Sequence, residues 1–180
     1  MKNTLEDGVE LYYEYKETLI DLYIDSFYPQ HTAAQAKALL RQNISHHFDQ
    51  IMAQGFIILS FEGATPNGAM MLTSPNFDPD MPSLIKHQLK GHNSLYIAEV
   101  FVAQSSRGKG YGRQLFEALF ALDKHHSRSY IIRVMSQNKR AIRLYESCSF
   151  VPQVTIKQIK MDHNENKMTL EKLYLTRIID

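Results

Sequence analysis

The stretch Arg107-Gly108-Lys109-Gly110-Tyr111-Gly112 limits what this chain can fold into more than any other. Glycines at alternate positions let the backbone take left-handed conformations and let a ligand approach without side chains in between. The stretch follows Leu95 to Val102, an apolar run that reads as a buried strand. It precedes a helical run from Gly112 to Lys124, in which Leu115, Phe116, Leu119, Phe120 and Leu122 give a face for packing on a sheet. Strand, glycine loop and helix, in that order, bind anions: several N–H groups can turn towards one negative group at the positive end of the helix. A pyrophosphate fits such a cradle. The glycine spacing matches neither the G-x-x-x-x-G-K-[ST] loop nor the G-x-G-x-x-G loop, and taken alone it is also compatible with a plain flexible turn.

Around this centre the pattern predicts alternating elements. Val9 to Tyr15 reads as an opening strand, and Glu17 to Tyr28 as a helix with Leu19, Leu22, Tyr23 and Phe27 at helical spacing, ended by Pro29. A second helix is expected from Thr32, acting as cap, to Met52, closed by Gly55. Phe56 to Phe61 and Ala69 to Thr73 read as strands joined across Thr65-Pro66-Asn67-Gly68, where Asn-Gly is a hairpin signal. Pro75 to Asn93 is a long connection with a short amphipathic piece around Leu84, Ile85 and Leu89. Tyr130 to Met135 is a further strand and Asn138 to Cys148 a further helix. Val154 to Met161 and Met168 to Leu175 form a last hairpin over Asp162 to Asn166.

Composition narrows the function classes. A chain of 180 residues with 44% hydrophobic and 22% charged residues suits one domain spanning 1–180, with a core of its own. The net charge of +1 supplies no general field for a polyphosphate backbone, so no nucleic acid is expected. The single cysteine, Cys148, cannot form an internal disulfide, and it reads as packing at a helix C-terminus. The opening residues lack a signal-peptide layout and no apolar run approaches the ~20 residues that cross a bilayer, so the expectation is a cytoplasmic protein with no membrane partner. His46-His47 and His125-His126 are adjacent pairs whose rings diverge on a helix, unlike an i, i+4 zinc pair, and no metal is expected.

A second motif adds to the first. Asn138-Lys139-Arg140-Ala141-Ile142-Arg143-Leu144-Tyr145 puts Asn138 and Tyr145 on one helix face, with Ala141 small enough for close approach and Lys139, Arg140 and Arg143 adding positive charge for a phosphate. The duller reading is a solvated basic face with a core tyrosine. Arg107, Gly110 and Gly112 match the loop signature [QR]-x-x-G-x-[GA], after Val102-Ala103-Gln104. Asn138, Ala141, Tyr145 and Phe150 match N-x-x-A-x-x-x-Y followed by G-F. On these two motifs, at the expected separation, the chain resembles the GNAT superfamily of acyl-CoA-dependent N-acetyltransferases, over about Leu95 to Phe150. Gln104 stands where the family often has proline. Ser149 stands where it often has glycine, at a helix end whose left-handed conformation costs a serine ~1–2 kcal/mol.

The resemblance implies an α/β fold with a mixed, mostly antiparallel central sheet of six or seven strands and about four helices. It also implies acetyl transfer from acetyl-CoA, as co-substrate, to a primary amine by direct attack. Arg107, Gly108, Lys109, Gly110, Tyr111, Gly112 and Arg113 would give mainly backbone donors to the pyrophosphate of coenzyme A, with Asn138 and Tyr145 also at the cofactor. Val100, Phe101 and Val102 would pair with the pantetheine arm and point a donor at the thioester oxygen. Glu99 would be the base, with an exposed or salt-bridged strand glutamate as the equal alternative, and Tyr145 the acid for the departing thiolate. Partners would be acetyl-CoA and an amine, the protein being a monomer or homodimer.

Several features have plainer readings. Tyr12, Tyr13, Tyr15, Tyr23 and Tyr28 could line an acceptor pocket, but packing is the expectation. Asp78, Asp80, Asp162 and Glu165 could attract a cationic amine, but surface solubility is the simpler role. The rival functions are a non-catalytic acyl-CoA sensor on the same fold and an RNA-facing protein that uses Lys139, Arg140 and Arg143.

Overall fold

The computed structural model describes residues 7–28, 34–123, 127–161 and 167–179. Six strands and five α-helices occur among them, in a mixed α/β fold whose pairings β1–β2, β4–β6 and β5–β6 are antiparallel. In chain order the elements are α1 (Asp7–Phe27), α2 (Ala34–Met52), β1 (Phe56–Glu62), β2 (Thr65–Thr73), α3 (Ser83–Gln88), β3 (Ser94–Val102), α4 (Tyr111–Leu122), β4 (Ser129–Met135), α5 (Lys139–Ser147), β5 (Val151–Met161) and β6 (Lys167–Ile178). The chain forms two compact units, residues 1–74 with 97–124, and residues 75–96 with 125–180.

In the first unit, the segment expected as an opening strand is the start of α1. Tyr12, Leu19, Ile20 and Ile24 are its buried hydrophobic side chains, and their spacing of seven, one and four is helical. This removes the optional seventh strand and supplies a fifth helix. The helix α2 begins inside the expected range, while Thr32 and Pro29 lie outside the described residues. Asp49 of α2 ties the two helices by accepting from the Tyr12 phenol and from Lys16 Nζ, each at 2.7 Å. Burial alone would raise the Asp49 carboxyl, but hydrogen bonds from Lys16 and Tyr12 hold it below its usual range. Farther along, Arg41 pairs with Glu17 and Asp21.

The hairpin expectation needs correction. The turn falls at Gly63-Ala64, between the pair Glu62↔Thr65, and Gly63 takes φ 66°. Asn67-Gly68 lies inside β2, where the register slips between Ser60↔Gly68 and Phe61↔Pro66, so Asn67 is an extra, bulged residue. Asn67 is buried and its Oδ1 accepts from Ser60 Oγ at 2.8 Å. A Cβ on Gly68 would lie 2.7 Å from Ser60 Oγ and 2.9 Å from the Phe101 carbonyl oxygen. Glycine therefore serves close strand approach there rather than a turn. From Pro66 to Thr73 every β2 residue is buried, so both faces of the strand are covered; α1, α2 and α4 all pack on β1 and β2. Fully buried Phe48 and Phe116 each contribute roughly 1.5–3 kcal/mol by leaving water.

The second unit holds the expected β5–β6 hairpin, paired from Val151↔Thr176 to Met161↔Lys167 with a register shift between Pro152 and Val154, and β6 also pairs with β4. The turn at 162–166, with Asp162 and Glu165, lies outside the described residues. Asp78 departs from its expected surface role: it is 4% exposed and accepts from Arg133 Nη1 at 3.0 Å and from the Tyr174 phenol at 2.8 Å. Burial, with Asp78 beside it, pushes the Tyr174 phenol up to about 12. This pairing pins the long segment after Pro75 to β4 and β6. Asp80 is exposed and bonds Gln158.

The end of α5 answers the question raised by Ser149. That residue takes φ 67°, the only positive φ outside glycine among the described residues. The Ser149 N–H donates to Glu146 O and the Phe150 N–H to Tyr145 O, both at 3.0 Å, and the Tyr145 and Phe150 rings meet at 6.4 Å. These are the two hydrogen bonds and the apolar contact of a Schellman end, built on serine. Replacing Ser149 with glycine should remove the left-handed cost and stabilise the fold by ~1 kcal/mol, read as a higher denaturant midpoint at unchanged slope.

Candidate functional site

The first unit gathers most of the predicted site at the end of β3. Side chains alternate along the strand, so Glu99 and Phe101 share a face. Phe101, 3% exposed, stacks on Phe48 of α2 with centroids 6.0 Å apart and planes at 10°, and Tyr23 of α1 meets both rings edge-on at 5.3 Å. The Glu99 carboxylate sits beside this aromatic packing. Its side chain is 18% exposed, and its Oε1 is 2.9 Å from His47 Nε2. Burial, then the Glu99 charge and a hydrogen bond to Glu99, hold the Tyr23 phenol far above its usual pKa. Burial and the Glu99 charge also raise Tyr28. Of the tyrosines expected to pack, Tyr23 and Tyr28 thus also act on Glu99. Tyr12 serves Asp49, and Tyr15 packs on Phe61.

From β3 the chain passes through Ala103, whose N–H donates to Asn67 O at 2.7 Å, and a short 3-10 turn at Gln104–Ser106. It then runs through Gly108 at φ 85° and Gly110 at φ 92°. Gly110 caps α4 without a side-chain bond, and the first helical bond runs from the Gln114 N–H to Gly110 O. Helix geometry leaves the N–H groups of the first turn without intrahelical acceptors, at the positive end of the helix. A Cβ on Gly110 would meet nothing within 4 Å, so the backbone is open there and the need for glycine is conformational. The residues therefore fit the anion cradle read from the spacing.

The Ser106, Arg107 and Lys109 side chains anchor this loop. Arg107 turns back, donating from Nε to Val102 O at 3.2 Å and from Nη2 to Ser26 O at 3.3 Å. Ser26 Oγ donates to the same Val102 oxygen at 3.4 Å. Of the three strand-end residues expected to pair with pantetheine, Val102 thus has its carbonyl already engaged. Glu62 accepts from Lys109 Nζ at 2.9 Å and from Ser106 Oγ at 2.8 Å. Those two bonds, Lys109 first, hold its carboxyl below the usual range. An open cleft of about 590 Å³ lies alongside, lined by Leu22, Asp25, Ala103, Gln104 and Ser105.

Asn138 and Tyr145 belong to the second unit. Asn138 is the N-cap of α5, its Oδ1 accepting from the Ala141 N–H at 3.1 Å, which commits that oxygen to the helix. Tyr145 is 6% exposed. Lys139, Arg140 and Arg143 are exposed, and Cys148 is buried as expected. Sequence reading missed His47, Ser26 and Glu62. They stand 52, 76 and 44 residues from their partners Glu99, Val102 and Ser106, and no local pattern marks them.

With the fold and loop in view, the profile of the Acetyltransferase (GNAT) family matches residues 16–150. The chain belongs to that acetyltransferase family. Among solved structures it is similar to the ribosomal-protein-alanine N-acetyltransferase of Brucella melitensis, at 18% identity and TM-score 0.62, covering 92% of this chain and 95% of that one. It is also similar to an N-acetyltransferase of Staphylococcus aureus Mu50, at 15% identity and TM-score 0.64, covering 93% and 94%. A GNAT family acetyltransferase of Elizabethkingia anophelis with acetyl-CoA bound aligns at 15% identity and TM-score 0.58, covering 88% and 89%. At these identities the likeness is one of fold. Comparison with curated proteins by sequence finds no match. No described helix is long and apolar enough to cross a membrane.

The Arg107 anchor is testable apart from activity. Arg107→Ala removes two charge-assisted bonds to backbone oxygens, so amide exchange across Gly108 to Gly112 should quicken by about tenfold or more while the α2 amides keep their protection. Unchanged loop exchange would mean that the guanidinium does not hold the loop.

Proposed function

We propose that this protein transfers an acetyl group from acetyl-CoA to a primary amine by direct attack, with no acyl-enzyme stage. The observation that carries the reading is the loop at the start of α4. Gly108 and Gly110 are left-handed, the backbone at Gly110 is open, and the Arg107 and Lys109 side chains are tied back to Val102, Ser26 and Glu62. Such a loop offers N–H groups and a helix dipole to a pyrophosphate, whose negative charge is stabilised there. A fold shared with an acetyl-CoA-bound relative supports the choice of coenzyme.

An alkyl ammonium has a pKa of ~10.4, so only roughly one acceptor molecule in a few thousand is a nucleophile at pH 7. A base is required, and Glu99 is the proposed one: its carboxylate is partly buried, at the end of the strand that leads into the loop. Among the described residues His47, Tyr23 and Tyr28 interact with it. For the departing thiolate the proposed acid is Tyr145, supported by its place in the helix motif. Transfer from a phenol at ~10 to a thiolate at ~8.5 is uphill by ~2 kcal/mol, which a turnover tolerates.

Release of coenzyme A thiol from acetyl-CoA, followed against a panel of polyamine, aminoglycoside, amino acid, alanine-initiated peptide and lysine peptide, tests the proposal. At least one acceptor should support turnover. Coenzyme binding with silence across the panel would overturn it and leave a sensor of acyl-CoA. Gly110→Ala forces an alanine to φ 92° at ~1–2 kcal/mol, and should raise the KM for acetyl-CoA about tenfold with the fold retained. Tyr145→Phe should lower kcat by at least about tenfold and leave acetyl-CoA affinity within twofold. Unaltered turnover would remove Tyr145 from the acid role.

A further inference from the structure

Glu99 is reached from two helices as well as held on its own strand. His47, on α2, brings Nε2 to 2.9 Å from Oε1, and Tyr23, on α1, brings its phenol within hydrogen-bonding reach of the same carboxylate. In the reading of Glu99 as the base it is an ionised carboxylate, which only accepts, so that reading puts the His47 hydrogen on Nε2 and has the Tyr23 phenol donate. Tyr23 is wedged edge-on between Phe48 and Phe101 and also touches Phe27 at 4.7 Å, and His47 precedes the fully buried Phe48 on α2, with 37% of its side chain exposed. The carboxylate therefore meets one donor set by core packing and one at the mouth of the site, while 18% of its own side chain stays open.

We infer that His47 and Tyr23 are positioning residues for Glu99: their two donors fix the rotation of the carboxylate and leave a defined oxygen lone pair for the proton of the incoming ammonium. The inference rests on the reading of Glu99 as the base. A carboxylate has about four lone-pair sites, and a freely turning one presents the productive site only part of the time. Proton transfer by a positioned base contributes ~10²–10⁴-fold, and its efficiency depends on hydrogen-bonding geometry held to a few tenths of an ångström. In the step itself the ammonium N–H bond breaks, the proton bonds to the free Glu99 oxygen, and the nitrogen keeps the electron pair with which it attacks the thioester carbonyl. No proton leaves His47 or Tyr23.

The test is a double-mutant cycle in the thiol-release assay, on the full chain, with whichever acceptor of the panel the wild type uses. His47→Ala should lower kcat about 10–100-fold, with the KM for acetyl-CoA within twofold. His47→Gln keeps an amide N–H donor and should recover most of that loss. Tyr23→Phe, which preserves the ring packing, should lower kcat about 3–10-fold. In a Glu99→Gln background, His47→Ala should change kcat by less than twofold, since nothing remains to be oriented. A His47→Ala enzyme as fast as wild type overturns the inference, and so does one that slows Glu99→Gln as much as it slows wild type. Loss through damage to the fold would show as a lowered denaturation midpoint with no recovery in His47→Gln, and this also counts against positioning. A wild type silent on the whole panel overturns both this inference and the acetyl-transfer reading, whereas an active wild type indifferent to His47 overturns the positioning alone.

Discussion

The loop between β3 and α4 depends on side chains that tie it down elsewhere while its glycine backbone stays open. Arg107 returns to Val102 and Ser26, and Lys109 and Ser106 meet on Glu62, so both ends of the loop are moored to β3, α1 and the end of β1. Both moorings lie at the surface: Lys109 and Glu62 are about half exposed, and exposed Arg107 donates to two backbone oxygens.

The same β-strand that feeds the loop carries Glu99, so the distance between the anion cradle and the carboxylate is set by strand geometry rather than by flexible chain. At ~3.3 Å per residue, Glu99 stands roughly 10 Å upstream of Val102. Around it the packing is aromatic: Phe48, Phe101 and Tyr23 form a rigid cluster that carries the donors as well as excluding water. A partly buried carboxylate is costly unless it is hydrogen-bonded, and His47 and Tyr23 supply that bonding. The second unit solves a comparable problem differently, sealing Asp78 with a full ion pair to Arg133, and that carboxylate is only 2% exposed. One acid is left partly accessible and the other closed.

Much of the fold was legible because the relevant rules act over a few residues. The helical spacing of α2, α4 and α5, the strands β3 and β4 and the last hairpin lie close to their predicted bounds. Two readings failed for instructive reasons. The tyrosines near the start have high strand propensity, yet the burial of Tyr12, Leu19, Ile20 and Ile24 on one side makes a helix, because packing outweighs intrinsic preference. Asn67-Gly68 looks like a turn and is a bulge: Gly63, a few residues earlier, takes the turn, and Gly68 is needed where β3 approaches too closely for a side chain.

By itself the sequence determined the glycine cradle, the capped and tyrosine-bearing α5, the family, and Glu99 as a carboxylate worth weighing, since each depends on local conformation or on spacing within one element. Tertiary structure alone decided that Glu99 would meet His47 and Tyr23, that Arg107 would face away from the cradle, that Asp78 would be sealed, and that Ser149 would accept a left-handed conformation. The physical reason is range. Backbone preferences and helix faces are written within a turn or two, whereas a hydrogen bond across 52 residues exists only once strand register and helix packing have fixed where both ends lie.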